Sequence, residues 1–378
     1  MVDWVTSFKE QIQRKVSFVF IRVLIFIYSK QSCDVQWNGK GSFKFAVTNG
    51  VRQGAVSSPI LFNVYIDKLI KLLRSSKIGC SIGHIYYGIM VYADDIVLLC
   101  PSRIGLQAML DICEKYAVSH NLQFSTNIDP VKSKTKCIHF SKKIINLAEM
   151  ELNGDKLPWV DSANHVGNIL ERNNSFEKDI RSKRGTFISR VHSILQEFSF
   201  ANPLVKLKMI SIYATSFYGS SLWDFFNGQC DKLYTAWNNA IRDTFSLPRM
   251  SHRYLIEELS GHLHPKVMLC SRFLQFNSSL LISGKSCLRY LVELSRYNQR
   301  TIYCHNLTEM SKAISCPLEN LTSRLIKRNM KYFGTPDDQK WRVAVLQDLQ
   351  ELRFNSLEID GFLDDYELTA WIDAIAVS

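Results

Sequence analysis

Apolar positions recur along this chain with two different periods. From Leu61 to about Arg74 they fall at Leu61, Phe62, Tyr65, Leu69 and Leu72, the spacing that collects one stripe on one side of a helix. Ser57, Ser58 and Pro59 stand just before it. A serine can cap free backbone N–H groups and proline fits a first turn, so a helix start is predicted there. Ile89–Tyr92 and Ile96–Leu99 are instead short continuous apolar runs held apart by Ala93, Asp94 and Asp95. That is the pattern of a tight hairpin with buried strands and an acidic turn. A helix through Leu106 to Ser119 is expected next, with Leu106, Leu110, Cys113 and Ala117 on one face. Val16–Tyr28 is a run of 13 mostly apolar residues with Arg22 at its centre. A membrane span needs about 20 apolar residues, so a buried helix in a soluble chain is expected.

Beyond Lys142–Glu151 the periodicity is helical. Glu177 to Phe198 places Phe187, Val191, Leu195 and Phe198 on one stripe and leaves Arg181, Lys183, Arg184 and Arg190 for the other side. A basic amphipathic helix is predicted, its four cations being candidates for nucleic-acid phosphates. Further helices are expected over Leu204–Phe225, Cys230–Phe245 and Pro265–Leu281, and near Asp338–Arg353, where Trp341, Val345, Leu349 and Leu352 share core spacing. No internal repeat stands out. The fold class is α+β, with an expected division into residues 1–145, a helical 146–290, and a helical 291–378 of unknown role.

Length and composition narrow the classes of function. With 378 residues, 46% of them hydrophobic, the chain can bury a full core. A formal charge of +11 favours a polyanionic partner, of which nucleic acid is the commonest. The ten cysteines are scattered, without a CxxC pair, which reads as reduced thiols in an intracellular protein, cytoplasmic or nuclear, rather than a disulfide or zinc framework. Cys304, His305 and Cys316 come nearest to a ligand cluster, but a zinc finger needs two closely spaced pairs.

The acidic turn carries the sharpest chemistry. Adjacent carboxylates on a rigid hairpin suit hard divalent cations, which take oxygen ligands and offset the repulsion between like charges. Tyr92-Ala-Asp-Asp95 followed by Ile-Val-Leu-Leu99 resembles the catalytic hairpin of reverse transcriptases. Asn49-Gly-Val-Arg-Gln-Gly-Ala-Val-Ser-Ser-Pro-Ile-Leu-Phe62 is similar to the block with which these enzymes contact template and incoming nucleotide. Ser57 stands where the family often has an aliphatic residue. Leu122-Gln-Phe-Ser-Thr-Asn127 with Pro130-Val-Lys-Ser-Lys-Thr-Lys-Cys137 looks like the family's next block, whose lysine is thought to protonate the leaving pyrophosphate. Lys132 and Lys134 both qualify, and Lys134 is carried into the candidate site. Leu157–Gly167, Phe217–Asp224 and Leu247–Ile256 are similar to segments that follow this domain in LINE-type (non-LTR) retrotransposons.

The resemblance spans roughly residues 16 to 285 and implies a partial polymerase palm followed by a mostly helical thumb. It implies template-directed addition of deoxynucleotides to a DNA primer on an RNA template by a two-metal mechanism with Mg2+. Asp94 and Asp95 would hold the metals, and Arg52, Gln53, Gly54 and Tyr92 would face nucleotide and template. A third family aspartate lies on an earlier strand. Asp3, followed by Val5, imitates the end of that segment, with a frayed terminus as the competing reading. The chain starts after the family's fingers, so a truncated polymerase, inactive by itself, is expected. The alternative is a non-catalytic nucleic-acid-binding remnant of a decayed retroelement.

Overall fold

The computed structural model describes residues 3–329 apart from 53, 128, 130, 131, 142, 144–146 and 252–263. The predicted helix near Asp338–Arg353 and most of the 291–378 segment therefore lie outside the described residues. The chain is α+β, as expected, with helices and small two-stranded antiparallel sheets. Its contacts gather it into two compact units, one reaching Val166 with 171–174, the other holding 167–170 and everything from Ser175.

The first unit opens with α1 (Trp4–Gln13), whose free N-terminal N–H groups are met by Asp3: its carboxylate accepts from the Thr6 amide at 3.2 Å. α2 (Phe18–Ser29) follows. Four two-residue strands, β1 (Ser32–Cys33), β2 (Gln36–Trp37), β3 (Lys40–Gly41) and β4 (Phe45–Ala46), form two exposed pairs. α3 (Ser58–Ser76) starts where serine and proline predict. Ser57 makes no side-chain cap bond; the Ser58 hydroxyl instead donates to the Arg52 carbonyl at 2.5 Å and ties the preceding loop down. Beyond it come β5 (Ser81–Ile82), β6 (Ile85–Tyr86), β7 (Ile89–Tyr92), β8 (Asp95–Leu98) and α4 (Arg103–Ser119).

Ile66, Leu69 and Leu73 of α3 and Met109, Cys113 and Tyr116 of α4 make the central layer of this unit. Polar groups are buried beside it and satisfied together. The Tyr65 hydroxyl donates to the His120 carbonyl and the Tyr116 hydroxyl to the Tyr65 carbonyl, while His120 stacks on Tyr116 and lies 3.7 Å from Glu10 of α1. α1, α3 and α4 are locked by bonds that only this arrangement supplies.

α2 corrects an expectation. Only Ile21, Leu24 and Tyr28 are buried, whereas Phe18, Val19 and Phe26 are 71%, 72% and 65% exposed. The helix is apolar all round, but α1 and Leu61 of α3 cover a single stripe among the described residues. Periodicity alone does not separate a buried helix from one with an uncovered face.

The packing also moves the boundary. β9 (Met150–Leu152) and β10 (Asp155–Leu157) bury Met150, Leu152 and Leu157 against Leu110 of α4 and Cys137. Residues up to 166 therefore pack with the first unit, although the shift in sequence pattern comes near 145.

The second unit is helical: α5 (Glu177–Glu197), α6 (Pro203–Met209), α7 (Gly228–Thr244), α8 (Pro265–Ile282), α9 (Ser286–Tyr297), α10 (Ile302–Ile314) and α11 (Ser323–Asn329). On α5, Ile180, Phe187, Val191 and Ile194 are buried, with Leu195 and Phe198 half-buried beside them, close to the predicted stripe. The predicted helix over Leu204–Phe225 is broken instead. α6 ends at Met209, a π turn runs over Ile210–Ala214, and a compact turn carries Trp223 and Phe225, both fully buried, into the core. Gly219 permits the turn: its φ is +78°, and a Cβ there would fall 1.7 Å from the Asn168 side chain. The Trp223 indole donates to Asp179 Oδ2 at 2.8 Å, and Asn306 donates to the Trp223 carbonyl at 2.7 Å and accepts from the Phe225 amide at 3.1 Å. These buried groups, spread over more than a hundred residues, satisfy backbone that the interrupted helix leaves open.

Candidate functional site

The acidic hairpin forms as the sequence predicts. β7 and β8 pair antiparallel with Ile89 opposite Leu98, Met90 opposite Val97, Val91 opposite Ile96 and Tyr92 opposite Asp95. Only Ala93 and Asp94 make the turn, and Ala93 takes a left-handed φ of 51°. A residue with a Cβ seldom adopts that conformation, and such outliers cluster at working sites.

Alternation along the strands decides what each face offers. Ile89, Val91, Ile96 and Leu98 lie against the α3–α4 core. Met90, Tyr92, Asp95 and Val97 consequently share the opposite face, where Met90 is 48% and Tyr92 67% exposed. The expectation of buried strands is thus corrected: one face is packed and the other open. A hairpin that carries carboxylates to a polymeric substrate needs such an open face, and Asp94 and Asp95 are both exposed.

The support is rigid. At the hairpin base, Leu99 donates to the Gly88 carbonyl at 2.8 Å and Cys80 donates to the Leu99 carbonyl at 2.9 Å. Cys80 comes just after the C-terminal end of α3. The inward side chains rest on a core that reaches Ile66 and Phe62, nearer the helix start.

The loop of residues 50–57 is pinned at both ends. Trp4 Nε1 of α1 donates to the Gly50 carbonyl at 2.6 Å, Val51 packs on Leu24, Tyr28 and Leu61, and Ser58 holds the Arg52 carbonyl. Gly54 has a φ of +82°, and nothing lies within 4 Å of where its Cβ would be. A bare backbone there leaves room for a flat ligand to approach. Arg52 and Gly54 are exposed. Gln53 lies outside the described residues. The part played by Trp4 carries no signal in the sequence, because its partner is a carbonyl 46 residues away.

Asp3 is not brought to the carboxylate pair. Its side chain is spent on the Thr6 amide and hydroxyl at 3.2 and 3.0 Å, and among the described residues no three His, Cys, Asp or Glu side chains gather as a metal-holding group. Asp3, a candidate third ligand with a frayed terminus as its competing reading, is instead the cap of α1. Two exposed carboxylates have the right donor chemistry for a hard cation and a low ligand count for holding one tightly.

The candidate lysines follow α4. Lys132 lies 3.9 Å from Asp129 with its side chain 75% exposed, and Lys134 is exposed. On α5 of the second unit the four cations divide in two. Lys183 donates to the Gly167 carbonyl at 2.6 Å and lies 3.7 Å from the buried Asp179, and Arg190 donates to the Tyr213 carbonyl at 2.9 Å. These two fasten the helix to its own unit. Arg181 and Arg184 enter no ion pair among the described residues.

Comparison with known proteins finds similarities to this part of the chain. The family described as reverse transcriptase (RNA-dependent DNA polymerase) matches residues 4–148. The Pol polyprotein of the type-2 retrotransposable element R2DM of Drosophila melanogaster is 38% identical over 84 residues, 22% of this chain and 8% of that protein. The RNA-directed DNA polymerase of the mobile element jockey of Drosophila funebris is 26% identical over 180 residues, 46% of this chain and 18% of that protein. The Pol polyprotein of the type-1 element R2 of Nasonia vitripennis is 45% identical over 65 residues, 17% of this chain and 6% of that protein. The chain thus spans less than a fifth of the length of each of these relatives. No helix among the described residues is long and apolar enough to cross a membrane.

Proposed function

We propose that the chain is part of an RNA-directed DNA polymerase of the non-LTR retrotransposon kind, a reading supported by the match of residues 4–148 to the reverse transcriptase family and by the similarity to the R2DM and jockey proteins. Its Asp94 and Asp95 would hold divalent cations while deoxynucleotides are added to a DNA primer on an RNA template. The observation that carries this reading is the hairpin itself, with two adjacent carboxylates raised on an open face above a packed helical layer.

The chemistry asked of the residues is modest. Divalent ions of the magnesium type, when bound, stabilise the attacking and leaving oxygens of an in-line phosphoryl displacement. Asp94 and Asp95 supply hard oxygen ligands and keep them in place through the β-ladder below them. Tyr92, opposite Asp95 on the open face, offers an aromatic surface beside the carboxylates. Gly54 lets a base pair come close to the backbone, and Arg52 supplies a cation for phosphate. Lys134, or Lys132, would give a proton to the departing pyrophosphate.

The test reads metal position directly. Fe2+ with ascorbate, in place of Mg2+, cleaves backbone near the ion. Cleavage is expected within the 89–98 hairpin, and Asp94→Asn or Asp95→Asn should abolish it. Asp3→Ala should leave the cleavage pattern intact and instead cost about 1 kcal/mol of stability through the lost helix cap. Primer extension by the chain alone is expected at background, because two carboxylates hold two ions poorly. Cleavage away from the hairpin, or unchanged in both Asn variants, would overturn the assignment. Robust extension would overturn the expected inactivity.

A further inference from the structure

Cys80 and Cys100 bracket the acidic hairpin in sequence. Cys80 stands just before β5 and Cys100 two residues beyond β8, so the 19 residues between them carry β5 to β8 and, at the far turn, Asp94 and Asp95. The fold closes this segment at its base. The Cys80 amide donates to the Leu99 carbonyl at 2.9 Å, the Cys80 carbonyl accepts from the Tyr87 amide at 2.8 Å, and the Leu99 amide donates to the Gly88 carbonyl at 2.8 Å. Gly79 lets these segments come together: its φ is +122°, and a Cβ there would fall 2.9 Å from Gly88 Cα and 3.1 Å from the Leu99 carbonyl oxygen. A carbonyl oxygen lies about 2.8 Å from the next Cα across a trans peptide, so the Cys80–Leu99 bond alone holds the Cα atoms of Cys80 and Cys100 within about 7 Å of each other. Disulfides usually join Cα atoms about 4.4–6.8 Å apart.

Packing around the sulfurs adds direction. A Cβ on Gly105 of α4 would fall 2.6 Å from Cys100 Sγ and 3.3 Å from Ile78 Cγ2. The sulfur therefore sits in space that the glycine leaves open, beside Ile78, two positions before Cys80. The Tyr86 hydroxyl donates to the Ile78 carbonyl at 2.7 Å and fixes the same strip of chain. Burial, and after it the neighbouring Cys100 thiol, holds the Cys80 thiol above its usual range, so the two sulfurs sense each other's charge. Neither cysteine is in a disulfide, and both are half-buried, whereas Cys113 of α4 is buried. A small thiol reagent reaches this pair before it reaches the core.

We propose that Cys80 and Cys100 are a thiol–disulfide modification site, oxidised by a low-molecular-weight disulfide such as glutathione disulfide, and that the bond so formed ties the base of the acidic hairpin. One protein thiolate attacks a sulfur of glutathione disulfide, forming a mixed disulfide and releasing one glutathione thiolate. The second protein thiolate attacks the protein sulfur of that mixed disulfide, the Cys80–Cys100 bond forms, and the second glutathione thiolate leaves. The two protein thiols lose two electrons and two protons, and glutathione disulfide gains them as two glutathione thiols. A free thiol in excess reverses both steps. The first attack is slow at neutral pH because little of a half-buried thiol is ionised. The second is intramolecular and benefits from the effective concentration that the fold provides. Once formed, the bond adds a covalent tie to the Cys80–Leu99 and Leu99–Gly88 hydrogen bonds beneath Asp94 and Asp95.

The test needs no primer, template or metal, so it stands or falls apart from the polymerase reading. The full chain, folded and in urea, is equilibrated with glutathione and glutathione disulfide in a set ratio, remaining thiols are blocked with N-ethylmaleimide, and peptides are mapped by mass without reduction. A Cys80–Cys100 link within one chain is expected in the folded protein, while exposed Cys33 carries glutathione or maleimide. The equilibrium constant for the link should be at least about tenfold larger folded than in urea, because the fold raises the concentration of one thiol at the other. Cys100→Ser should stop the reaction at the Cys80–glutathione adduct, and Cys33→Ser should leave the link unchanged. Amide exchange across the 89–98 hairpin should slow about threefold or more on linking and recover with dithiothreitol. No Cys80–Cys100 link at a ratio that fully modifies Cys33 overturns the proposal. So do equal constants folded and unfolded, a link that joins two copies in an isotope-mixed sample, and hairpin exchange that the link leaves unchanged.

Discussion

At the scale of single residues, burial sets which thiols react. Burial pushes the Cys113, Cys230 and Cys270 thiols up to about 12 and Cys137 up to about 11. The thiolate is the nucleophile, so these four are expected to be silent toward a maleimide at neutral pH, while exposed Cys33 labels at once. Mass mapping after brief labelling checks this, and early modification of Cys113 would contradict the α3–α4 core. Asp179 shows a different side of the same physics. It is 1% exposed, accepts from the Trp223 indole and the Ile169 amide, and is paired with Lys183. A buried carboxylate in that position is a structural residue, although the sequence offers only an acid in the first turn of a basic helix.

Among elements, α5 separates two roles that look alike in sequence. Arg181 and Arg184 enter no ion pair among the described residues, whereas Lys183 and Arg190 bond to carbonyls of their own unit. Replacing Arg181 and Arg184 with glutamine should flatten the salt dependence of single-stranded RNA binding by about 1.4 in log–log slope, about 0.7 per lost phosphate contact. The same change at Lys183 and Arg190 should leave the slope alone and lower the Tm instead. Filter binding across a salt series, run beside thermal melts, distinguishes them, and equal slopes for all variants would count against a phosphate track on α5. The turn after α6 carries its own prediction. Gly219→Ala forces a Cβ against Asn168 in a left-handed conformation, which should destabilise the second unit by about 1–3 kcal/mol. Denaturant unfolding measures it, and a loss near zero would mean that the turn adjusts.

Taken as a whole molecule, the chain has a separate core in each unit. Ile66, Leu69, Leu73, Met109, Cys113 and Tyr116 anchor one, and Phe187, Trp223, Phe225, Trp237 and Phe273 are among the anchors of the other. Core truncations are therefore expected to act unit by unit, each costing about 2–5 kcal/mol. Leu69→Ala should speed amide exchange in α3 and α4 and leave α7 and α8 as they were, with Trp223→Ala doing the reverse. Exchange that rises everywhere in either variant would show one cooperative fold.

Local information in the sequence determined much of this. The α+β class, the starts of α3 and α5, the extents of α4, α7 and α8, and the hairpin turn, read as Ala93–Asp95 and found at Ala93–Asp94, follow from apolar period, proline and turn residues, which act within a few positions along the chain. The adjacency of Asp94 and Asp95 on a hairpin was legible for the same reason. Tertiary structure alone decided that Lys183 and Arg190 are fasteners and that α2 shows most of its apolar surface. It also decided that Leu204–Phe225 breaks so that Trp223 and Phe225 can enter the core. The fasteners and the broken helix depend on partners distant in sequence, Gly167 and Tyr213 for the cations and Asn306 for the turn. No spacing along a chain encodes which remote carbonyl or side chain will be there to complete a buried hydrogen bond, because that choice is made only when the packed layers meet.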